Sequence, residues 1–424
     1  MLIKGGRIID PATGRDEIAD LVIEAGRVRE ICPAGTCGIG MHEDVVDAAG
    51  LWVLPGLIDM HVHLREPGQE YKEDLESGTR AAAAGGVTTV VCMPNTDPVN
   101  DNPAVTRAIV ERAKEAGLAR VLPAGAITRG LEGARLAEMA LMKLAGIVAV
   151  TDDGRPVEDA SVLRKALEYA STFALPVILH CEDRRLSGKG VMNEGHLSAR
   201  LGLPGIPAIA EETMIARDIT VARYVRVPVH VTHVSTKGGL ETIARAKKDG
   251  LGITCDVTPH HLLLTEDAVK TYDTNFKMNP PLRTEEDRAA LIEGVANGVV
   301  DCIATDHAPH APDEKAVDFD LAPFGVIGLQ TLLPAIMEIH RERGVPFERL
   351  LRCVTANPAA VLGIEGGRID VGSRADVVLF DPEARWTFTG DDILSKSKNS
   401  AFLGRSFTGK VVYGPRGQDR VPCA

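Results

Sequence analysis

Short apolar runs alternate with amphipathic segments along most of the chain, beginning at Trp52. Runs of this kind, apolar on both faces, are typical of strands in a parallel sheet that is covered on each side. The eight runs are Trp52–His63, Gly86–Met93, Arg120–Ile127, Gly146–Thr151, Pro176–His180, Pro228–Val234, Gly252–Val257 and Val299–Ala304.

The segments between these runs carry helix signals. Asn102 and Pro103 can cap and begin a helix that Gly117 ends, and Thr284 with Asp287 resembles a capping box. Predicted helices cover Ala104–Ala116, Val157–Phe173, Ala208–Tyr224, Gly239–Lys248 and Glu285–Ala296. Eight strands with crossover helices predict an α/β protein closed as a (β/α)8 TIM barrel. An open doubly wound sheet is the alternative, but the chain contains neither a GxGxxG nor a GxxxxGK[ST] loop.

Short strand patterns occupy both ends of the chain. They are Met1–Ile9, Ala19–Glu24, Gly26–Ile31, Asp44–Asp47, Gly367–Ile369, Ala375–Phe380 and Thr408–Tyr413. The simplest arrangement joins both ends in one small β-sandwich domain beside the barrel. We therefore expect residues 1–51 and 362–424 to build the small domain and residues 52–361 to build the barrel.

Composition narrows the function classes. The 424 residues include 47 Lys+Arg and 59 Asp+Glu, which gives a net charge of −12. Nucleic acid and anionic membranes are bound by basic surfaces, so neither is an expected partner. The N-terminal residues lack the pattern of a secretory signal, and the eight cysteines include no CxxC pair. We expect reduced cysteines and a cytoplasmic protein.

The strongest chemical signal is His61-Val-His63 at the end of the first apolar run. Residues i and i+2 of a strand point to the same side, so both imidazoles face the lumen at the C-terminal mouth of the barrel. Further ligand-type residues stand at the ends of other runs: Asp153 just after run four, His180 at the end of run five, His233 near the end of run six and Asp306 just after run eight. Four histidines and two carboxylates exceed the needs of one catalytic zinc ion, which favours a pair of metal ions sharing a hydroxide.

Residue spacing does not decide two details of this predicted site. Asp153 is the candidate for a carboxylate between the metals, but spacing does not separate it from Asp152. Asp306 would contact one metal and the hydroxide, which makes it the candidate proton carrier. His260 and His261 follow the seventh run and could approach substrate, although structural hydrogen bonding is the more common role at such positions.

Several motifs together resemble the bacterial dihydroorotases of the amidohydrolase superfamily, in particular the longer class I type of about 45 kDa. The motifs are Gly56-Leu-Ile-Asp-Met-His61-Val-His63-Leu-Arg65, Met93-Pro-Asn95-Thr, Thr151-Asp-Asp-Gly154, His180-Cys-Glu-Asp183, His233-Val-Ser-Thr, Asn279-Pro-Pro-Leu and Thr305-Asp306-His307-Ala-Pro-His310. They occur in order at matching intervals, and the likeness covers nearly the whole chain.

The resemblance implies a role for each matching residue. His61, His63 and Asp306 would hold a first Zn²⁺, His180 and His233 a second, and Asp153 would bridge them. The residues implied in substrate binding are Arg65, Asn95, Asn279, His310, Phe324 and Gly325. A guanidinium such as that of Arg65 suits a planar carboxylate. Residues 307–325 are expected to form a mobile loop over the mouth.

The implied reaction is the zinc-dependent, reversible cyclisation of N-carbamoyl-L-aspartate to L-dihydroorotate in de novo pyrimidine (UMP) synthesis. The alternatives are another cyclic amide hydrolase such as allantoinase, or a non-catalytic scaffold for aspartate carbamoyltransferase, with which some relatives form complexes. We also expect a homo-oligomer. Hydantoinases bridge their metals with a carboxylated lysine from strand four, but Lys143 precedes that run on its helix side.

Overall fold

The computed structural model describes residues 1–37 and 44–413, so His42, Cys423 and the last part of the predicted C-terminal segment lie outside the described residues. The strands are β1 (Leu2–Asp10), β2 (Arg15–Glu24), β3 (Arg27–Pro33), β4 (Val45–Asp47), β5 (Trp52–Pro55), β6 (Leu57–Val62), β7 (Val87–Cys92), β8 (Arg120–Gly125), β9 (Ala149–Val150), β10 (Ile178–Leu179), β11 (Met192–Asn193), β12 (Gly205–Ile206), β13 (Val229–Val231), β14 (Ile253–Val257), β15 (Cys302–Ile303), β16 (Val377–Thr387) and β17 (Ser406–Tyr413).

Between and after these strands lie fourteen α-helices in the described part of the chain. They are α1 (Leu75–Ala84), α2 (Pro103–Ala116), α3 (Met139–Ala145), α4 (Ala160–Thr172), α5 (Arg184–Ser187), α6 (His196–Leu201), α7 (Ile209–Val225), α8 (Lys237–Lys248), α9 (Pro259–Leu263), α10 (Glu285–Asn297), α11 (Pro312–Lys315), α12 (Leu332–Arg343), α13 (Phe347–Cys353) and α14 (Ala356–Leu362). The five predicted helices correspond to α2, α4, α7, α8 and α10. None of the helices in the described ranges has the length and apolar character that crossing a bilayer requires.

Local sequence explains where the helices begin and end. Asn102 accepts hydrogen bonds from two backbone N–H groups at the start of α2, and Gly117 ends that helix in the left-handed conformation. Thr284 and Asp287 form the predicted capping box at the start of α10. These caps satisfy polar backbone groups that would otherwise be left without partners at the helix ends.

Eight parallel strands close into the predicted barrel. Strands β6 to β9 form one consecutive set, and β10, β13, β14 and β15 form a second. Two parallel bridges join the sets, one between Val150 and Val177 and one between Val62 and His307. Because the strands are parallel and the ring is closed, their C-terminal ends all lie at one common mouth.

Two apolar layers support the barrel. The larger lies between the strands and the surrounding helices. The smaller gathers residues from six barrel strands and from α14, including Ile58, Ile178 and Ala304. Because the larger cluster packs against the surrounding helices, we assign this separate buried cluster on the same strands to the interior of the barrel. The site lies just beyond this cluster, since His180 and Asp306 follow Ile178 and Ala304 by two positions.

Both chain ends join in one seven-stranded sheet, in the order β17-β16-β5-β1-β2-β3 with β4 beside β1. The first apolar run is therefore divided, because Trp52–Pro55 pairs with β1 and β16 and only Leu57–Val62 enters the barrel. Some predicted strands are absent or shorter than expected. Gly367–Ile369 forms no strand, and three barrel strands are limited to two residues each: Ala149–Val150, Ile178–Leu179 and Cys302–Ile303.

The expectation that all cysteines are reduced is wrong for two of them. Cys32 and Cys37 form a disulfide with a Cα–Cα separation of 6.1 Å. A turn after β3 brings the two residues together, and their spacing carries no CxxC signal. The other described cysteines are free and buried.

Gly56 lies between β5 of the seven-stranded sheet and β6 of the barrel. A substitution at Gly56 tests how closely the chain is packed at this junction. A Cβ at this position would lie 2.2 Å from Thr88 Cγ2, whereas a Cβ on Gly390 would meet nothing within 4 Å. We expect Gly56→Ala to lower the free energy of unfolding by about 1–3 kcal/mol through overpacking. The matched control Gly390→Ala should change it by less than about 0.5 kcal/mol. Urea unfolding measures both, and equal effects would contradict the packing assigned to Gly56.

Candidate metal centre and substrate cavity

Six residues with metal-binding side chains meet at the C-terminal mouth of the barrel. His61 lies near the end of β6 with His63 just beyond it, and the others follow the ends of β9, β10, β13 and β15: Asp153, His180, His233 and Asp306. All six side chains are buried. The barrel therefore collects residues that are separated by up to 245 positions in the sequence.

The Asp153 carboxylate lies at the centre of this cluster. Its Oδ1 is 3.3 Å from His61 Nε2, 3.5 Å from His180 Nδ1 and 3.6 Å from His233 Nε2. Its Oδ2 is 3.5 Å from His63 Nε2. One carboxylate thus lies within 3.6 Å of all four imidazoles, at the centre of the candidate ligand set.

The other two aspartates of the region have different surroundings. Asp306 Oδ1 lies 3.1 Å from His63 Nε2 and 3.5 Å from His61 Nε2, so it belongs to one side of the cluster. Asp152 turns away, since its Oδ1 accepts hydrogen bonds from the backbone N–H groups of Ile127 at 2.7 Å and Thr128 at 3.0 Å. The geometry therefore separates Asp153 from Asp152, which spacing alone does not.

The histidine rings are oriented by groups outside the cluster. His61 Nδ1 lies 2.8 Å from Thr232 Oγ1, and His63 Nδ1 lies 2.9 Å from Asn95 Oδ1. His61 Nε2, which faces the cluster, is buried and has no hydrogen-bond partner. In a metal-binding histidine one ring nitrogen usually forms a hydrogen bond with an oxygen, and the other ring nitrogen is left for the metal. The donor set thus fits a metal ion bound by nitrogen and oxygen.

Charge supports the same interpretation. Although burial alone would lower it, the carboxylates of Asp153 and Asp306 raise the pKa of His61 to about 9. Burial likewise opposes a charged His180, but hydrogen bonds with Asp153 and Glu182 raise its pKa to about 10. The buried carboxylates therefore attract positive charge, as protons or as metal ions. Metal ions would displace those protons.

Buried carboxylates also hold the backbone beneath the cluster. Asp59 accepts hydrogen bonds from the backbone N–H groups of His61 and Thr305, and burial raises the pKa of Asp59 to about 6. Asp256 accepts from the N–H of His233 at 2.7 Å. His233 and Asp306 both have positive φ, at 39° and 50°. Non-glycine residues keep such conformations where surrounding contacts impose them, commonly at functional sites.

A cavity of about 240 Å³ opens above the cluster. Every residue predicted for the site lines it except His61, which joins the site through its contacts with Asp153 and Asp306. Gly154 and Ala308 line it as well, without having been predicted. The cavity thus places cationic and polar side chains opposite the candidate metal ligands.

The predicted substrate-binding side chains are held by contacts around this cavity. Arg65 Nε donates to the backbone oxygen of Pro309 at 3.1 Å. His310 Nε2 donates to the backbone oxygen of Phe324 at 2.8 Å, which ties the two ends of the 307–325 loop together. Asn279 Nδ2 donates to Glu182 Oε2 at 3.0 Å.

The remaining candidate histidines do not line the cavity. His261 lies 2.8 Å from Thr258 Oγ1 and 3.0 Å from the backbone oxygen of Pro280, in the structural role that is more common at such positions. His260 is buried, and its Nε2 has no hydrogen-bond partner in the described part of the chain.

Glu182 is a site residue that sequence reasoning missed. Its Oε2 lies 3.2 Å from His180 Nε2 and accepts from Asn279 at 3.0 Å, so one carboxylate contacts a candidate metal ligand and a candidate substrate residue. Burial alone would raise the pKa of Glu182, but these contacts lower it to about 2. The available signal was its position two residues after His180 in the motif His180-Cys-Glu-Asp183.

This contact generates a prediction for Glu182→Gln. The amide keeps the shape of the side chain but loses the charge that orients His180, so divalent-metal affinity should fall about 10- to 100-fold. The exposed Glu241→Gln is the matched control. Metal competition titration on both proteins measures the effect. Unchanged affinity in Glu182→Gln would contradict the orienting role.

Comparison with known proteins identifies the family of the chain. A family model described as dihydro-orotase-like matches residues 50–239. A curated dihydroorotase from Geotalea daltonii is 51% identical over 417 residues, covering 97% of each chain. One from Geobacter sulfurreducens is 52% identical over 415 residues, again covering 97% of each chain.

Solved structures agree on the fold. An L-hydantoinase (dihydropyrimidinase) from Arthrobacter aurescens superposes with a TM-score of 0.86 at 24% identity, covering 97% of this chain and 93% of its own. A D-hydantoinase (dihydropyrimidinase) from Thermus sp. gives a TM-score of 0.82 at 25% identity, with the same coverage. The near-complete match to dihydroorotases at about half identity is the decisive comparison. The chain belongs to the dihydroorotase family of cyclic amide hydrolases.

Proposed function

We propose that the protein is a zinc-dependent dihydroorotase that reversibly cyclises N-carbamoyl-L-aspartate to L-dihydroorotate in the de novo pathway to UMP. The observation that carries the proposal is the contact of Asp153 with all four histidines at the base of a cavity lined by Arg65 and Asn95. The identity of about half to curated dihydroorotases supports the same reaction.

In this proposal the six clustered residues hold two zinc ions. The contacts of Asp306 with His61 and His63 support a first ion on these three residues, and the 3.0 Å approach of His180 Nδ1 to His233 Nε2 supports a second on that pair. Asp153 contacts both groups and would bridge them. Bound zinc would polarise the reacting carbonyl and lower the pKa of water towards about 7.

The protein residues orient the substrate and move the proton. Arg65 and Asn95 hold the carboxylate that remains after ring closure, with Asn279, His310 and the Phe324–Gly325 backbone around the rest of the molecule. During cyclisation the ureido nitrogen bonds to the side-chain carboxylate carbon, and one carboxylate oxygen leaves. Asp306 accepts the proton of that nitrogen and delivers it to the departing oxygen, and a second proton from solvent completes the water. In hydrolysis it carries a proton from the attacking water to the ring nitrogen.

The residues disfavour a hydantoinase-type centre. Thr151, Asp152 and Asp153 follow β9 directly, while Lys143 lies exposed in α3. A carboxylated lysine therefore has no place in the bridging position that Asp153 occupies. The clustering of four histidines around two aspartates also disfavours a purely structural scaffold.

The wider setting is also proposed. The protein would be cytoplasmic and homo-oligomeric, with aspartate carbamoyltransferase as a candidate partner. Its small domain would be a β-sandwich, which is supported by the bridge between Arg27 and Arg374 that brings β3 close to the residues before β16.

An activity assay tests the function. Purified, zinc-loaded protein should interconvert N-carbamoyl-L-aspartate and L-dihydroorotate and leave allantoin unchanged, because allantoin has no ring carboxylate for Arg65 and Asn95. Absorbance of dihydroorotate and a separate ureide assay measure the two reactions. Turnover of allantoin without turnover of carbamoyl-aspartate would reject the proposal. No bound zinc together with no turnover of either substrate would favour the scaffold.

Arg65→Gln tests the carboxylate contact. Losing a charge-assisted hydrogen bond should raise KM for dihydroorotate about 10- to 100-fold. Metal content should stay at the wild-type level, because Arg65 belongs to the substrate side of the cavity. The exposed Arg129→Gln is the control. Initial-rate kinetics with metal analysis provide the measurement, and an unchanged KM would place the substrate carboxylate elsewhere.

A further inference from the structure

Two buried lysines contact the loop at the cavity mouth, and neither belongs to the site described above. Lys277 precedes Asn279 by two positions, and Lys315 ends the short helix α11 within the loop. Their side chains are 2% and 7% exposed. Buried lysines are uncommon unless they are paired with an acidic group.

Each ammonium group donates to two backbone carbonyls of the same loop segment. Lys277 Nζ donates to Phe319 O at 2.8 Å and Asp320 O at 3.0 Å. Lys315 Nζ donates to Pro323 O at 2.9 Å and Gly325 O at 3.0 Å. Four carbonyls between residues 319 and 325 are thus held by two side chains.

Further contacts of Lys277 reach the substrate-binding end of the segment. Its Nζ lies 4.8 Å from the centre of the Phe324 ring and 5.7 Å from that of Phe319. Its backbone oxygen accepts the N–H of Gly325 at 2.9 Å. Lys277 therefore contacts Phe324 and Gly325 directly, and both of these residues line the cavity.

These charges are buried without ion pairs. Among the described residues, no carboxylate lies within 4.0 Å of either Nζ. Burial consequently lowers the pKa of Lys277 to about 8 and that of Lys315 to about 7. Burying two lysine ammonium groups without acidic partners lowers the stability of the folded protein. A role in the site explains their presence better than stability does.

We propose that Lys277 and Lys315 are positioning residues that hold segment 319–325 so that Phe324, Gly325 and His310 meet the substrate. The assignment of these three residues to the substrate rests on the proposed function. His310 is included because its Nε2 donates to Phe324 O, so displacement of the segment would move it as well. The metal ligands lie outside these contacts, so the lysines act on substrate binding rather than on the chemical step.

The test uses the separate variants Lys315→Met and Lys277→Met in the full-length, zinc-loaded protein. Methionine keeps the apolar stem and removes the donors. Each loss of hydrogen bonds from a charged donor should raise KM for dihydroorotate about 10- to 100-fold, with kcat within about 3-fold of wild type. The exposed Lys270→Met is the matched control and should keep the wild-type KM.

Hydrogen exchange provides a readout that does not depend on the reaction. In the free protein, amides of residues 316–325 should exchange at least about 10-fold faster in each variant, while those near His61 and Asp153 stay unchanged. A wild-type KM together with wild-type exchange in both variants would overturn the proposal. So would a fall in kcat at unchanged KM.

Failure of this proposal can be distinguished from failure of the proposed function. If the wild-type protein turns over neither dihydroorotate nor carbamoyl-aspartate, the function fails, and the exchange rates still decide whether the lysines hold the segment. If Lys315→Met does not fold, Lys277→Met alone decides, because its ammonium contacts a different pair of carbonyls.

Discussion

The site depends on one buried carboxylate. Asp153 is buried and lies 3.3 to 3.6 Å from ring nitrogens of four histidines. With Asp306 it brings two negative charges into the barrel mouth, and such charges require positive partners. Protons on the histidines supply the positive charge when no metal is bound. Metal ions would supply it and would also bind several ligand atoms at once. The remaining features of the site hold these groups in place.

The barrel holds these groups in place because they lie at its strand ends and because buried carboxylates bind the nearby backbone. Asp59 and Asp256 accept backbone N–H groups of His61 and His233, so the ligands are fixed by their main chain as well as by their rings. Glu182 connects His180 with Asn279 and so links the metal side of the cavity to the substrate side. The buried lysines extend this support to the loop across the mouth.

The likeness to hydantoinases illustrates how fold and chemistry separate. The A. aurescens enzyme shares the architecture at a TM-score of 0.86 and only 24% identity. A shared barrel establishes the scaffold, whereas the reaction depends on particular side chains at its mouth. Here the residues after β9 supply an aspartate, and Arg65 supplies a cation in the cavity. The family is assigned by the curated relatives and not by the shared barrel.

The sequence by itself determined the barrel, the family and the residues that gather at the mouth, because apolar runs and strand-end motifs are local signals. It did not separate Asp152 from Asp153, because both follow the same short strand and only contacts with other strands distinguish them. The division of the first run at Gly56, the Cys32–Cys37 bond and the burial of Lys277 and Lys315 likewise depend on partners distant in sequence. Only the tertiary structure decided these features, because each depends on contacts with residues that local sequence patterns do not identify.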